Sequence, residues 1–250
     1  MYSRLETLAV EEPLEIRVNG VLVRVVMRTP GADVELVHGF LLTEGIIDQR
    51  ADVLAACYCA GRGVDGLNTY NVLDVTLADG ANPPRAVADL PVALGMSGDS
   101  AACAVAGRWD ITGDQSVVSV AALAAMRSQL GRAQRIFATT EGVHGAALFR
   151  CDGTQLVVRE DVDQFNAVSK VLGWAVENDQ LPLTGSVLVL SGRASFIHTR
   201  AAVAAGVPVL AARSAPSSLA VSLADESGVT LVGFRDVESL NVYCRPERVV

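Results

Sequence analysis

The hydrophobic positions change period along the chain, and each change marks an element. Leu14, Ile16 and Val18 alternate with polar residues, Asn19-Gly20 intervenes, and Val21, Val23 and Val25 resume the alternation. Period two on both sides of Asn-Gly predicts a hairpin, because a type I′ turn needs positive φ at both central residues. Pro30 and Gly31 break the run. Val34, Val37, Leu41 and Leu42 then recur at helical spacing, with Asp33 and Glu35 at the positive N-terminal end and Gly45 as the stop. Between residues 50 and 98 the pattern supports only a strand at 72–77 and a turn at 80–84. Residues 113–115 read as a joint. Ser119 is an N-cap candidate for a helix carrying Val120, Leu123, Met126 and Leu130 and stopping at Gly131.

From there short apolar runs and helical stripes alternate. Strands are predicted at 135–138, 146–149, 155–159, 186–190, 208–211, 229–232 and 240–243. Helices are predicted at 165–175, 194–205 and 217–224. Strands separated by helices imply parallel pairing through right-handed crossovers. The expected fold class is α/β (α+β overall). A smaller β-rich N-terminal domain would span residues 1–112, with a cysteine loop at its end, and an α/β domain residues 113–250. No internal repeat or low-complexity segment interrupts this order.

Composition narrows the function classes. Half of the 250 residues are hydrophobic and 19% are charged, which argues against disorder. The net charge of −8 argues against a protein that neutralises nucleic-acid phosphates broadly. The longest apolar stretches are too short or too interrupted to span a bilayer, and residues 1–11 lack the apolar core of a secretory signal. A cytoplasmic location is therefore expected. Five cysteines (Cys57, Cys59, Cys103, Cys151 and Cys244) suggest reduced thiols. Cys57-Tyr58-Cys59 is too close for zinc spacing and has no second pair, so no metal site is expected. Lys170 is the single lysine, which by itself reads as compositional bias.

Candidate chemistry sits where strands end, since open α/β sheets bind ligands there. Ser191-Gly192-Arg193 follows one strand and opens a helix, and Ser214-Ala215-Pro216-Ser217 does the same after another. Both could hold phosphates on free N–H groups, or could simply cap helices. Cys103 is flanked by alanines, as a buried core cysteine would be, yet Gly107 and the run 95–100 suggest a mobile loop. Arg108 could then stabilise its thiolate. His144 lies within Thr139-Thr140-Glu141-Gly142-Val143-His144-Gly145, between two predicted strands, where neighbouring glycines would leave its ring accessible. Asp161, beside Glu160 at the end of a predicted strand, could cap the following helix. Neither a nucleophile elbow nor a P-loop occurs.

Taken in order, several segments resemble the formate dehydrogenase accessory sulfurtransferase family (FdhD). They are Glu11-Glu12-Pro13-Leu14 with its hairpin, Gly39 through Ile47, Cys103 with Gly107, Thr140 through His144 with Ala146-Ala147, and Arg159-Glu160-Asp161-Val162. Asn166-Ala167, Lys170, Ser191-Gly192-Arg193 with Ser195-Phe196, Ser214-Ala215-Pro216, Leu231 through Phe234, and Asn241-Val242-Tyr243 complete the set. The resemblance implies a sulfur carrier. It would take sulfur from a cysteine desulfurase as a persulfide and pass it to the molybdenum bis(molybdopterin guanine dinucleotide) of formate dehydrogenase. It also implies a homodimer and a cytidine-deaminase-like larger domain. The deaminase signatures H-x-E and P-C-x-x-C are absent, which argues against deamination. The roles implied here are Cys103 as carrier and His144 as acid/base or orienting group. Ser191, Gly192, Arg193, Ser214, Ala215, Pro216, Phe234, Arg235, Asp236, Val237, Glu238 and Ser239 would form the cofactor site.

The chain departs from the family pattern in places. Ala106 stands where a second cysteine is common. Asp163-Gln164-Phe165 replaces Gly-Arg-His, Ile197 a frequent Glu, and Ser169 a frequent Asp. Asp236 and Glu238 sit in a loop that is usually arginine-rich, where carboxylates would repel phosphates. A non-transferring paralogue that binds a nucleotide cofactor or a partner enzyme is therefore the alternative. A stand-alone hydrolase or deaminase is the third option.

Overall fold

A computed structural model describes residues 6–59, 69–79, 109–236 and 239–250. The expected turn at 80–84, Cys103 with its loop and Arg108, and Val237 with Glu238 lie outside the described residues. The first sheet contains β1 (Glu12–Val18), β2 (Val21–Arg28), β3 (Val53–Tyr58) and β4 (Val72–Leu77), in the order β2-β1-β4-β3. The Asn19-Gly20 hairpin is present, with φ of 50° and 80° at the two turn residues. Helix α1 (Asp33–Thr43) follows, and Gly45 adopts a positive φ just past its end.

The second sheet has the order β10-β9-β8-β7-β5-β6, from β5 (His144–Arg150), β6 (Gln155–Asp161), β7 (Ser186–Leu190), β8 (Val209–Arg213), β9 (Thr230–Phe234) and β10 (Leu240–Cys244). Parallel pairing holds for β7, β8 and β9. The flanking pairs are antiparallel. Strands β6 and β7 both oppose β5, so they run the same way, joined across it by a helix.

The helices are α2 (Val120–Ala133), α3 (Arg135–Thr140), α4 (Gln164–Glu177), α5 (Phe196–Ala204) and α6 (Ser218–Ser227). None of the described helices is long and apolar enough to cross a membrane. The central strands are buried on both faces, which explains why they read as continuous apolar runs. Leu148, Leu188, Leu190, Leu210 and Leu231 face one core with α4. Their neighbours Ala147, Phe149, Val187, Val189, Val209 and Val232 face the other, against Leu123, Met126 and Leu130 of α2. The first core continues through α1 to Leu14 and Ile16 of the small sheet.

Two expectations fail here. Residues 135–138 form a helix rather than a strand. The Glu160 carboxylate accepts from the Ile136 and Phe137 N–H groups, each at 2.9 Å, and fixes a helical N-terminus. The segment 139–145 therefore runs from a helix end into β5 rather than between strands. The cap of α4 is Asp163, whose carboxylate accepts from Phe165 and Asn166 N–H. Asp161 is instead fully buried and paired with Lys170 at 2.7 Å.

Candidate functional site

The C-terminal ends of β7, β8 and β9 open beside the start of β5, and α2 with α3 forms the facing wall. Between them lies a cavity of about 590 Å³. Leu190, Ser191 and Gly192 come from the end of β7, Arg213 from β8 and Phe234 from β9. Val143 and His144 come from the start of β5, and Arg127, Gln134 and Phe137 from the helices. The volume is in the range of small-molecule and cofactor sites, about 300–1,000 Å³.

The backbone around the cavity is tied down. Ser191 Oγ accepts from Gly145 N–H at 2.8 Å, and Ser191 N–H donates to Gly145 O at 2.9 Å. Arg213 N–H donates to Gly192 O at 2.9 Å, and Ser214 N–H to Phe234 O at 2.8 Å. Gly192 makes room for a neighbour: a Cβ there would come within 1.8 Å of Gln164 Oε1 and 3.4 Å of His144 Nδ1. Any side chain would displace the group behind the cavity wall.

Behind that wall, Gln164 Nε2 donates to Arg193 O at 2.9 Å. His198 accepts the Ser195 N–H on Nδ1 at 3.1 Å, as part of a capping box that starts α5. Burial pushes its pKa down to about 4, the nearby Asp163 opposes this, and His144 and Arg193 add to the depression. His198 is therefore a neutral prop at physiological pH. His144 itself is exposed.

The predicted residues separate into three groups. His144, Ser191, Gly192 and Phe234 line the cavity. Arg193 and Ala215 are exposed beside it. Ser214 is exposed at φ 63°, and the half-buried Pro216 leads into the α6 cap, where Ser217 Oγ accepts from Ala220 N–H at 3.4 Å. That part of the loop is an ordinary helix cap. Arg235, Asp236 and Ser239 form a closed turn. The Asp236 carboxylate accepts from Ser239 N–H and Oγ–H at 2.8 and 2.6 Å, and Arg235 N–H donates to Ser239 O at 3.0 Å. The Arg127 guanidinium donates to the Asp236 carbonyl and lies 5.4 Å from the centre of the Phe234 ring. The Asp236 carboxylate is thus engaged within its own turn. Among the described residues no group of three or more His, Cys, Asp or Glu could hold a metal ion.

Residues 9–250 match the model of the FdhD/NarQ family. The chain belongs to this family. An FdhD/NarQ relative named sulfur carrier protein FdhD, from Mycolicibacterium paratuberculosis, is 56% identical over 99% of this chain and 93% of its own. Another of that name, from Streptomyces coelicolor, is 48% identical over 99% and 90%. The crystal structure of a putative formate dehydrogenase accessory protein from Desulfotalea psychrophila superposes with a TM-score of 0.77 at 24% identity, covering 98% of this chain and 91% of that one. This last likeness speaks to the fold.

Against the FdhD/NarQ motifs, Ser191 and Gly192 were visible in the sequence because they follow an apolar run, His144 because glycines flank its segment, and Phe234 only through the family resemblance. Arg127 was missed because it sits on the polar face of α2, which resembles any solvated helix face, and Gln134 because it lies buried at the junction of α2 and α3, where no local pattern marks it. Arg213 was overlooked although it ends the β8 run immediately before Ser214. Gln164 stood out only as part of the Asp163-Gln164-Phe165 departure from the family pattern and was given no role.

Proposed function

We propose that this FdhD/NarQ protein carries sulfur for formate dehydrogenase, with Cys103 as the carrier and the cavity at the strand ends as the seat of the cofactor. In the loading step the Cys103 thiolate attacks the terminal sulfur of a persulfide on a cysteine desulfurase. A new S–S bond forms at Cys103, the donor's S–S bond breaks, and the donor leaves as a thiolate with no net oxidation. One thiolate suffices for this, so Ala106 in place of a second cysteine does not block it. The cargo site is the molybdenum bis(molybdopterin guanine dinucleotide) bound as substrate. The working form is a cytoplasmic homodimer. His144 on the cavity rim orients the ligand or moves a proton.

The cavity itself carries this reading. It offers two guanidinium groups, Arg127 and Arg213, the side chains that bind phosphate esters. The names of the relatives supply the sulfur chemistry. The test is intact mass after incubation with a desulfurase and cysteine. Wild type should gain one sulfur atom that Cys103→Ser does not. Equal gain by both, or gain by neither, removes Cys103 as carrier. The alternative of a non-transferring binding module is favoured by Ala106 and by the carboxylates of the 235–239 loop. Restored formate dehydrogenase activity in a strain lacking its accessory factor would exclude it.

A further inference from the structure

We propose that the Glu141 carboxylate reads the N–H donor edge of a 2-amino-4-oxopyrimidine ring, the edge shared by guanine and pterin, while Arg213 holds the anionic end of the same ligand. The inference rests on the cofactor-binding reading of the cavity and adds the group that selects among ligands.

Glu141 and Arg213 both line the cavity and both are exposed. Neither side chain has a hydrogen-bond or ion-pair partner among the described residues, so the two opposite charges stand more than 4.0 Å apart. One cavity thus presents an acceptor-only group and a donor-only group, neither engaged by a described residue. A ligand that satisfies both carries N–H donors at one end and an anion at the other. Guanine and pterin each place a ring N–H beside an exocyclic amine, two donors that meet the two oxygens of one carboxylate. Adenine places a ring acceptor next to its amine, which a carboxylate repels. Phe137, on the same wall and 43% exposed, gives a flat ring a surface to stack on.

The Glu141 backbone supports the assignment. It is the C-cap of α3 at φ 51°, with its N–H bonded to Phe137 O at 2.8 Å. An L-residue is disfavoured in this left-handed conformation, which glycine adopts freely. The helix end fixes the conformation, so the Cα–Cβ bond of Glu141 leaves the backbone in a set direction at the cavity lip.

Titration calorimetry on the full chain tests this with GDP, ADP, IDP and 6-hydroxymethylpterin. Wild type should bind GDP at least tenfold tighter than ADP or IDP, since IDP lacks the exocyclic amine. Glu141→Gln should lose at least tenfold for GDP and leave ADP unchanged, whereas Arg213→Ala should weaken GDP and ADP alike. Glu141→Gly removes the carboxylate and relieves the backbone. It should melt no lower than wild type yet lose GDP affinity as the Gln variant does. If the pterin binds in place of GDP and is lost in Glu141→Gln, the same edge is read from the pterin end. A GDP preference absent in wild type or intact in Glu141→Gln overturns the assignment and leaves the cavity a nucleotide site. Failure of wild type to bind either GDP or the pterin overturns the assignment and the cofactor reading together.

Discussion

His198 shows how one buried side chain can make the site depend on pH. Its pKa falls from an ordinary 6.5 to about 4, chiefly because burial disfavours the imidazolium. The unfolded chain therefore binds more protons between these values. The stability this neutral ring preserves is complete above about pH 6.5 and is lost as pH falls toward 4, by up to about 3 kcal/mol. Urea unfolding between pH 4 and 7 should show this slope in wild type and a shallower one in His198→Gln. Equal slopes would mean the ring is not held neutral. Ser169 gives a second test at this scale. Its hydroxyl is buried with no hydrogen-bond partner among the described residues. Ser169→Ala removes a desolvated polar group at little packing cost. It should be neutral or raise stability by about 1 kcal/mol, read from the urea midpoint.

At the scale of elements, helices α1 and α4 cross on glycine. A Cβ at Gly39 would lie 1.9 Å from Ser169 O, and one at Gly173 would lie 1.7 Å from Glu35 O. Backbone is the obstacle in both cases, so no rotamer change can relieve the clash. Gly39→Ala and Gly173→Ala should each destabilise by about 1–3 kcal/mol or more, with the helices forced apart. Unchanged melting temperatures for both would show that the two helices can move apart at little cost. This crossing was not legible in the sequence, where both glycines sit inside helical patterns as mild faults. The hairpin, α1, α4 and the central strands were legible because their apolar periods agree with local turn and cap chemistry. Helix α3 was not, because six residues span less than two turns and its N-terminal partner, Glu160, lies 24 residues away. The same limit hid part of the site. Strand-terminal residues His144 and Ser191 announce themselves locally and Phe234 through the family resemblance, whereas Arg127 joins them only when α2 folds over the sheet.

For the whole molecule, the decisive tie is the buried pair Asp161–Lys170. Lys170 Nζ donates to the Asp161 carboxylate at 2.7 Å and to Thr29 O at 2.8 Å. Asp161 also accepts from Thr29 N–H at 3.2 Å, and from Asn166 Nδ2 at 3.0 Å while that amide donates to Met27 O. Residues 27–29 end the hairpin of the small sheet, and Asp161 ends the edge strand of the large one, so this knot fastens one sheet to the other. Breaking it leaves a carboxylate uncompensated in the interior, and Lys170→Met should destabilise by about 3–5 kcal/mol. A loss under 1 kcal/mol would show that the remaining N–H donors satisfy Asp161 alone. The knot also contains the single lysine of the chain, 2% exposed. An amine-reactive reagent should therefore label Lys170 slowly in the native protein. Lys170 should react only as fast as the two sheets separate, and denaturant should raise its labelling rate along the global unfolding curve. Rapid native labelling at Lys170, followed by peptide mass spectrometry, would mean that the sheets part locally without unfolding and that the knot does not govern their attachment.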